Sequence, residues 1–180
     1  DGKMYSRMLG GNLVRIDVEN ARGENLTNGD LVGTKDGSAY GLVFDPQDEN
    51  VFYFSNNDKH CIYKYDLRTK ECACWAGQEG KSGYLDGPIG QAMFNKPGQM
   101  CVDSEGNIIL TDTENHCIRK ITMSTGYVST LAGKPQNSGY VNGSAEDAQF
   151  KKPLGICIDN DDVMYIGDSE NRAIRRLAVE

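Results

Sequence analysis

The stretch "DTENHCIRKI", Asp112–Ile121, has two relatives in this chain of 180 residues. The segment "NNDKHCIYKY" (56–65) stands 56 residues before it, and "DSENRAIRRL" (168–177) stands 56 residues after it. The same spacing aligns "GYLDG" (83–87) with "GYVNG" (139–143), and "FNKP" (94–97) with "FKKP" (150–153). Matches in the same order and at a constant spacing indicate tandem structural repeats.

Each repeat consists of short apolar runs separated by turn residues. Residues 97–133 contain the runs "PGQMCVD", "IILTD", "CIRKITM" and "YVSTLAG", and the turns "SEGN", "TENH" and "STG" lie between them. Runs of this length between Gly, Asn, Asp and Ser turns are typical of antiparallel β-strands. Four-stranded units in tandem predict an all-β fold, a β-propeller whose blades pack face to face.

The repeat spacing also predicts the extent of each blade. We expect a partial blade at 1–37, whole blades at 38–77 and 95–133, and a partial blade at 152–180. The first reads as the second to fourth strands of a blade, and the last stops after a third strand. These bounds predict the C-terminal part of a ring of about six blades.

The segment "DGPIGQAMFNKPGQMCVDSEGNIILTDTENHCIRKI" (86–121) resembles an NHL repeat, which is named for an Asn-His-Leu signature. Here Asn115 and His116 are followed by Cys117 in place of leucine. The segments with "GYLDG" resemble those of secreted bacterial proteins in which an immunoglobulin-like IPT/TIG module precedes an NHL propeller. The resemblance implies further blades and an Ig-like module before this chain, and a secreted, periplasmic or cell-surface location.

The acid–amide–imidazole cluster at 112–116 invites a catalytic or metal-binding interpretation. A catalytic group need occur only once, whereas this cluster recurs with the repeat, so we predict that it holds a turn through side-chain bonds to backbone N–H groups. A zinc site needs three or four converging ligands, and the two histidines belong to different repeats. We therefore predict no metal site. The predicted structural set is Asn56, His60, Asp112, Asn115, His116, Asp168 and Asn171.

Charge limits the classes of partner. The chain has 26 acidic and 19 basic residues, a net charge of −7, which disfavours nucleic acid as a partner. No apolar run approaches the ~20 residues of a membrane-spanning helix. The acidic turns that begin at Asp45, Asp103 and Asp159 lack the order of a calcium loop. We expect Asp-led turns there and no cofactor, with calcium as the weaker alternative.

The cysteines also follow the repeat. Cys61 aligns with Cys117, and Cys101 with Cys157, while Cys72 and Cys74 fall in one strand run. Small apolar residues at equivalent strand positions are normally part of the core. We therefore predict that all six cysteines are free, buried thiols.

The longest predicted loops join one blade to the next. The linkers 77–96 and 133–152 exceed the usual loop length of about five residues, and propeller topology places both on one face. Long ordered loops commonly carry function. The candidate binding residues are Gln78, Lys81, Tyr84, Asp86, Tyr140 and Asn142, although the tyrosines could instead hold the linkers against the blades.

Two functions remain open on this evidence. The first is a non-catalytic propeller that binds a protein or glycan on its linker face. The alternative is a lactonase-like hydrolase or lyase with a metal ion in the central channel, which would need converging carboxylate, amide or imidazole ligands. The sequence contains no cluster of that kind outside the repeated motif.

Overall fold

The computed structural model describes residues 4–8, 12–27 and 39–178. In this part of the chain the strands form four antiparallel sheets, so the predicted all-β propeller fold is confirmed. Residues 28–38 lie outside it, and the predicted boundary between 37 and 38 lies there too. Blade A contains β1 (Met4–Met8), β2 (Asn12–Asp17) and β3 (Arg22–Asn25); blade B contains β4 (Ala39–Asp45), β5 (Asp48–Asn56), β6 (Cys61–Asp66) and β7 (Cys72–Gly77).

Blades C and D follow in the same order along the chain. Blade C contains β8 (Gly87–Pro88), β9 (Pro97–Val102), β10 (Ile108–Asp112), β11 (Cys117–Thr122) and β12 (Tyr127–Ala132); blade D contains β13 (Pro153–Ile158), β14 (Met164–Asp168) and β15 (Ala173–Leu177). Within blade C the strand order is β8-β12-β11-β10-β9, and within blade D it is β13-β14-β15.

The hydrophobic cores lie between blades. Neighbouring residues of one strand point to opposite faces, so Ile108 and Leu110 pack toward blade B while Ile109 packs toward blade D. All three are fully buried. Burial of one such side chain stabilises the fold by about 1.5–3 kcal/mol, so the stacking of blades contributes to its stability.

The first strands of successive blades approach closely where glycine allows it. A Cβ atom on Gly41 of β4 would lie 2.8 Å from the Met100 nitrogen of β9. One on Gly98 of β9 would lie 2.9 Å from the Leu154 oxygen of β13. Larger residues at these two positions would push neighbouring blades apart.

The strand β8 was not anticipated from the sequence. Gly87 and Pro88 pair with Val128 and Tyr127 of β12, so part of the first linker adds a fifth strand to blade C. After β8 the chain makes a single turn, in which the Ala92 N–H donates to the Pro88 carbonyl at 2.9 Å.

Hydrogen bonds place the linkers beside one set of turns. The Glu114 N–H donates to the Asn95 carbonyl at 3.0 Å, and the Glu170 N–H donates to the Lys151 carbonyl at 3.1 Å. We call this side of the molecule, formed by linkers 77–96 and 133–152 and turns 113–116 and 169–172, the linker face. The opposite side, formed by the turns at 46–47, 103–106 and 123–126, is the turn face.

Candidate functional site

A buried arginine organises the first linker. Arg119 of β11 has a fully buried side chain. Its Nη1 donates to Asp112 at 2.6 Å and to the Met93 carbonyl at 3.1 Å. Its Nη2 donates to Asp86 at 2.7 Å and to the Leu85 carbonyl at 2.9 Å. One guanidinium therefore ties a strand to both arms of the linker.

Two aromatic rings enclose the same guanidinium. The Arg119 Cζ atom lies 4.8 Å from the centroid of the Tyr84 ring and 5.1 Å from that of Phe94. Cation–π contacts of this kind stabilise by more when they are shielded from water. We call Tyr84, Asp86, Phe94, Asp112 and Arg119 the linker lock. Burial raises the pKa of Asp112 to about 6, although Arg119 acts in the opposite direction.

Blade D repeats this arrangement. Arg175 donates to Asp168 at 2.9 Å, to the Gln149 carbonyl at 3.0 Å and to the Val141 carbonyl at 2.6 Å. Its Cζ atom lies 4.9 Å from the Tyr140 ring and 5.0 Å from the Phe150 ring. We call Tyr140, Phe150, Asp168 and Arg175 the second linker lock. The sequence signal for it was the recurrence of arginine at 119 and 175, because strand alternation alone does not explain a charged residue at that position.

The predicted role of the acid and amide was wrong in blades C and D. Neither Asp112 nor Asp168 caps its own turn. Asp112 accepts instead from the Asn95 N–H at 2.8 Å, and Asn115 Nδ2 donates to Asp112 and to the Gly83 carbonyl, both at 2.8 Å. The turn closes through its own backbone, so these side chains are available to hold the linker.

The equivalent side chains of blade D act in the same way, and blade B differs. Asp168 accepts from the Lys151 N–H at 2.7 Å, and Asn171 donates to the Gly139 carbonyl at 2.7 Å. In blade B, Asn56 accepts from the Lys59 N–H at 3.0 Å, which is the predicted turn bond. The prediction was right where the acid is replaced by asparagine.

The histidines connect one blade to the next. His116 and His60 adopt left-handed backbone conformations, with φ of 59° and 55°. The Nδ1 atom of His116 accepts from the Lys152 N–H at 3.2 Å, and that of His60 accepts from the Lys96 N–H at 3.1 Å. Burial, followed by the charge of Lys96, lowers the pKa of His60. Both imidazoles therefore hold the start of the following blade, consistent with a structural role.

Two of the predicted binding residues are engaged within the fold. The Tyr84 hydroxyl shares a hydrogen bond of 2.7 Å with Thr130, and Asp86 accepts from the Thr130 N–H at 3.1 Å as well as from Arg119. The structure brings Tyr84 and Asp86 together as parts of the linker lock. Their positions therefore favour the alternative that the linker tyrosine holds the linker in place.

The other four binding candidates lie nearer the surface. Gln78 donates to the Gln91 carbonyl at 3.1 Å and accepts from Lys81 at 3.3 Å, so these two side chains form a polar pair on the first linker. Tyr140 is 60% exposed, and Asn142 is exposed beside it. The two pairs lie on different linkers.

Sequence reasoning missed two exposed aliphatic residues. Leu85 is 46% exposed and Val141 is 42% exposed. They occupy the same repeat position, and their carbonyls are the ones that Arg119 and Arg175 bind. The sequence did carry a signal for these two residues. In both "GYLDG" and "GYVNG" an apolar residue stands between a tyrosine and an acid or amide.

Clefts occur on both faces of the molecule. One of about 620 Å³ lies on the turn face between blades B and C, and its lining includes Gln47, Asn107, Lys120 and Met123. Another, of about 420 Å³, runs along the start of the second linker at 130–137 and reaches Glu146. The second linker therefore lies beside surface with a defined shape.

The leading carboxylates of the acidic turns accept hydrogen bonds from backbone N–H groups of the same turns. Asp103 accepts from the N–H groups of Glu105 at 3.1 Å and Asn107 at 2.7 Å, and Asp159 accepts from Asp161 at 3.0 Å and Val163 at 2.9 Å. These are the bonds of Asp-led turns. Across residues 4–8, 12–27 and 39–178, no three His, Cys, Asp or Glu side chains are grouped as metal ligands. None of the helical segments in these ranges has the length and apolarity to cross a membrane.

All six cysteines are free thiols. Cys61 and Cys117 are buried, and Cys72, Cys74 and Cys101 are partly buried. The predicted burial was wrong for Cys157, which is exposed on the outer face of blade D. Among the described residues no blade covers that face, whereas blade D covers the equivalent face of blade C.

Comparison with known proteins identifies the repeat. The NHL repeat family matches residues 94–121. NHL repeat-containing protein 2 of Gallus gallus is 30% identical over 152 residues, which are 83% of this chain and 19% of that protein. The chloroplastic protein SUPPRESSOR OF QUENCHING 1 of Arabidopsis thaliana is 28% identical over 173 residues, 92% of this chain and 16% of that protein. The chain thus spans less than a fifth of either relative.

Solved structures share the fold over nearly the whole chain. A Bacteroides thetaiotaomicron protein of unknown function superposes with a TM-score of 0.87 at 29% identity, covering 99% of this chain and 44% of that one. An auxiliary nutrient binding protein from the same species has a TM-score of 0.74 at 29% identity, covering 98% and 45%. A streptogramin B lyase, 16% identical with a TM-score of 0.63, shares the fold alone. Residues 94–121 match the NHL repeat family, and the chain has a β-propeller fold.

Proposed function

We propose that this chain is a non-catalytic binding segment of a propeller, whose linker face binds a protein or glycan partner. The observation that carries the proposal is the repeated exposure of Leu85 and Val141 on that face. Both are aliphatic, both are more than two-fifths exposed, and both stand on linkers held by a buried arginine. Apolar side chains that recur at one exposed position form a candidate contact surface.

The linker locks make this surface suitable for binding. A partner that contacts a mobile loop must order it, and each immobilised side chain costs about 0.5–1.5 kcal/mol. Arg119 and Arg175 already hold the backbone at Leu85 and Val141. The backbone of these linkers is therefore already ordered when the chain folds. Burial of their apolar area then contributes directly to the free energy of binding a partner.

Differences between the two linkers are suited to specificity. Residues 78–82 read "QEGKS", and the corresponding residues 134–138 read "KPQNS". The first segment presents the Gln78–Lys81 pair, and the second lines the cleft of about 420 Å³. One scaffold therefore offers two chemically different loops beside a shared apolar position, which suits an extended partner.

The comparisons support a binding role. A structure 29% identical to this chain is described as an auxiliary nutrient binding protein. We extend this to the chain as a proposal, together with a secreted, periplasmic or cell-surface location. The enzyme alternative has in its favour fold likenesses to enzymes less than 25% identical to this chain, such as the streptogramin B lyase at 16% and a gluconolactonase of Xanthomonas campestris at 13%.

The linker-face proposal is tested with a matched set of variants. The chain is immobilised and probed with a glycan array and a library of displayed peptides, and the ligands found are titrated against Leu85→Ser, Val141→Ser and Val18→Ser. Val18 is 60% exposed in the turn after β2 and serves as the control. We expect each linker variant to weaken binding about tenfold, through the loss of about 1.5 kcal/mol of apolar contact, with an unchanged Tm. Equal effects of all three variants would contradict the proposal.

A further inference from the structure

Blade B carries a second cysteine where blade C carries a threonine. Cys61 and Cys117 occupy the same repeat position at the start of β6 and β11, and both are fully buried. Cys74 of β7 occupies the position of Thr130, whose hydroxyl shares a hydrogen bond of 2.7 Å with Tyr84 of the first linker. The thiol at 74 is therefore a departure from the repeat, and the stacking of equivalent blades does not account for it.

A β-bulge places the two cysteines of blade B on one face of the sheet. Cys61 pairs with Gly77 and Tyr63 pairs with Cys74, so two residue steps on β6 face three steps on β7. The extra residue, Trp75, packs on the side of blade C. Cys61 and Cys74 both belong to the cluster on the side of blade A. They are thus diagonal neighbours on the same face of adjacent strands.

The sulfur of Cys74 lies beside Cys61. The Cys74 Sγ atom is 3.7 Å from the carbonyl oxygen of Gly77, and Gly77 is the residue directly opposite Cys61. The side chain of Cys74 therefore leans along β7 toward the other cysteine rather than toward Tyr63, its own partner across the strands. The two thiols also hydrogen-bond to each other.

Their surroundings make the two thiols chemically unequal. The hydrogen bond from Cys61 lowers the pKa of Cys74, and the Glu79 N–H adds a second donor, against the effects of burial and of the Glu79 charge. The same bond and burial raise the pKa of Cys61. Cys74 is only partly buried, whereas Cys61 is fully buried. A more acidic, more accessible thiol beside a second one is the arrangement in which the first attacks and the second resolves.

We propose that Cys61 and Cys74 are an oxidisable pair that closes into a disulfide by exchange with a small-molecule disulfide such as oxidised glutathione. The Cys74 thiolate attacks one sulfur of the reagent, forms a mixed disulfide and releases one glutathione. Cys61 then loses its proton, attacks the Cys74 sulfur and displaces the second glutathione. The protein loses two electrons and two protons, and both appear on the two reduced glutathione molecules.

The disulfide would join β6 to β7 three residues before the first linker begins at Gly77. It concerns the interface between blades A and B, so it does not depend on the linker-face surface at Leu85 and Val141. Blade C provides an internal comparison, because Cys117 faces Thr130 there and has no second thiol at that place.

Oxidation of the folded chain tests the proposal. The 180-residue protein is equilibrated in glutathione buffers from reducing to oxidising, and the remaining thiols are alkylated and counted by intact mass. The background variant Cys157→Ser removes the exposed thiol and with it disulfides between chains. We expect the wild-type chain to lose two of its six free thiols and to recover them with dithiothreitol. Tryptic mapping should find peptide 60–64 joined to peptide 71–81.

Single variants separate the roles of the two thiols. Cys74→Ser should leave Cys61 reduced in every buffer. Cys61→Ala should accumulate a mixed disulfide of Cys74 with glutathione, because no second thiol displaces it. Cys72→Ser is the matched control, since Cys72 lies in the same strand and the same tryptic peptide, and it should oxidise as the wild-type chain does. Circular dichroism before oxidation shows that each variant is folded.

Three results would overturn the proposal. One is a folded wild-type chain that keeps all six thiols in the most oxidising buffer. Another is a main product in which Cys74 is joined to Cys72, which the Cys72→Ser variant would abolish. The third is an oxidation of Cys61 that persists in Cys74→Ser, or a Cys61→Ala chain in which Cys74 takes up no glutathione.

Discussion

At the scale of single residues, the main feature of the chain is the set of buried charges in the linker lock. Arg119 makes four hydrogen bonds to two carboxylates and two carbonyls, and its side chain has no exposed surface. Charges in such a setting are tolerated because they are paired, and removal of one partner leaves the other buried without compensation. The repeat at Arg175 shows that the same solution serves two blades.

Arg119→Met should therefore destabilise the chain by about 3–5 kcal/mol, since Asp112 loses its counter-ion in a fully buried position. The double variant Asp112→Asn, Arg119→Met removes both charges and should recover part of that loss. Arg176→Met, at an exposed position of β15, should change the free energy of unfolding by less than about 0.5 kcal/mol. Urea unfolding of the three variants measures these differences. A double variant less stable than the single one would contradict the charge argument.

The lowered pKa of His60 predicts that the stability of the fold depends on pH, and it also predicts the direction of that dependence. Its pKa is lowered in the fold, mainly by burial and then by Lys96, so the folded chain binds fewer protons at this site than the unfolded chain. The contribution to stability is fully present above the unfolded pKa of about 6.5 and is lost as the pH falls toward the lowered folded value. Thermal unfolding between pH 8 and 5 should show this loss, and His60→Gln should reduce it. An unchanged pH profile in that variant would exclude His60 as its source.

At the scale of elements, the linkers combine a framework repeated in both with segments that differ between them. The Gly80 N–H donates to the Lys59 carbonyl and the Gln136 N–H donates to the Asn115 carbonyl, both at 2.8 Å. Gly80 and Gln136 also share a left-handed backbone, with φ of 77° and 63°. Two different sequences thus follow the same path at the start of each linker, while the lock residues lie further along.

Exchange of residues 78–82 for "KPQNS" should therefore preserve folding. The linker lock is untouched, and the acceptor at Lys59 remains in place, so the Tm should shift by no more than ~2 °C, as for other surface changes. Affinity for any ligand of the linker face should change, because the Gln78–Lys81 pair is lost. Calorimetry together with the binding assay separates the two effects. A chain that unfolds after this exchange would show that the segment itself is part of the structural framework.

At the scale of the whole molecule, burial between blades contributes to stability, and within residues 4–8, 12–27 and 39–178 the outer face of blade D is uncovered. Ile109 and Ile118 of blade C are fully buried against blade D. The equivalents on blade D, Tyr165 and Ile174, are 39% and 76% exposed. This face has the composition of an interior surface, and we expect it to promote self-association of the isolated chain.

Thiol reactivity should report this asymmetry. Cys157 is exposed on the open face, whereas Cys61 and Cys117 are buried and burial raises the pKa of Cys117. A thiol reagent should therefore label Cys157 first and reach Cys61 and Cys117 only after denaturation, giving six reactive groups in total. Peptide mapping after timed labelling checks the order. Early labelling of Cys117 would indicate that blades C and D separate in solution.

The repeat spacing by itself determined the class of fold and, apart from β8, the strands of blade C, and it predicted a structural role for the cluster at 112–116. A period is visible along the chain because each blade must stack on the next with equivalent residues. The free cysteines followed from the same spacing, since equivalent strand positions share an environment. None of these conclusions required knowledge of how distant segments meet.

Only the tertiary structure decided where the polar side chains find their partners. Asp86 meets Arg119 across 33 residues, and Asn115 meets Gly83 across 32, through the path of a linker that lacks the alternation of a strand. The strand β8 and the exposure of Cys157 also depend on which segment covers a strand edge or a blade face. Strand alternation specifies which way a side chain points, whereas its partner is set by the elements that pack there.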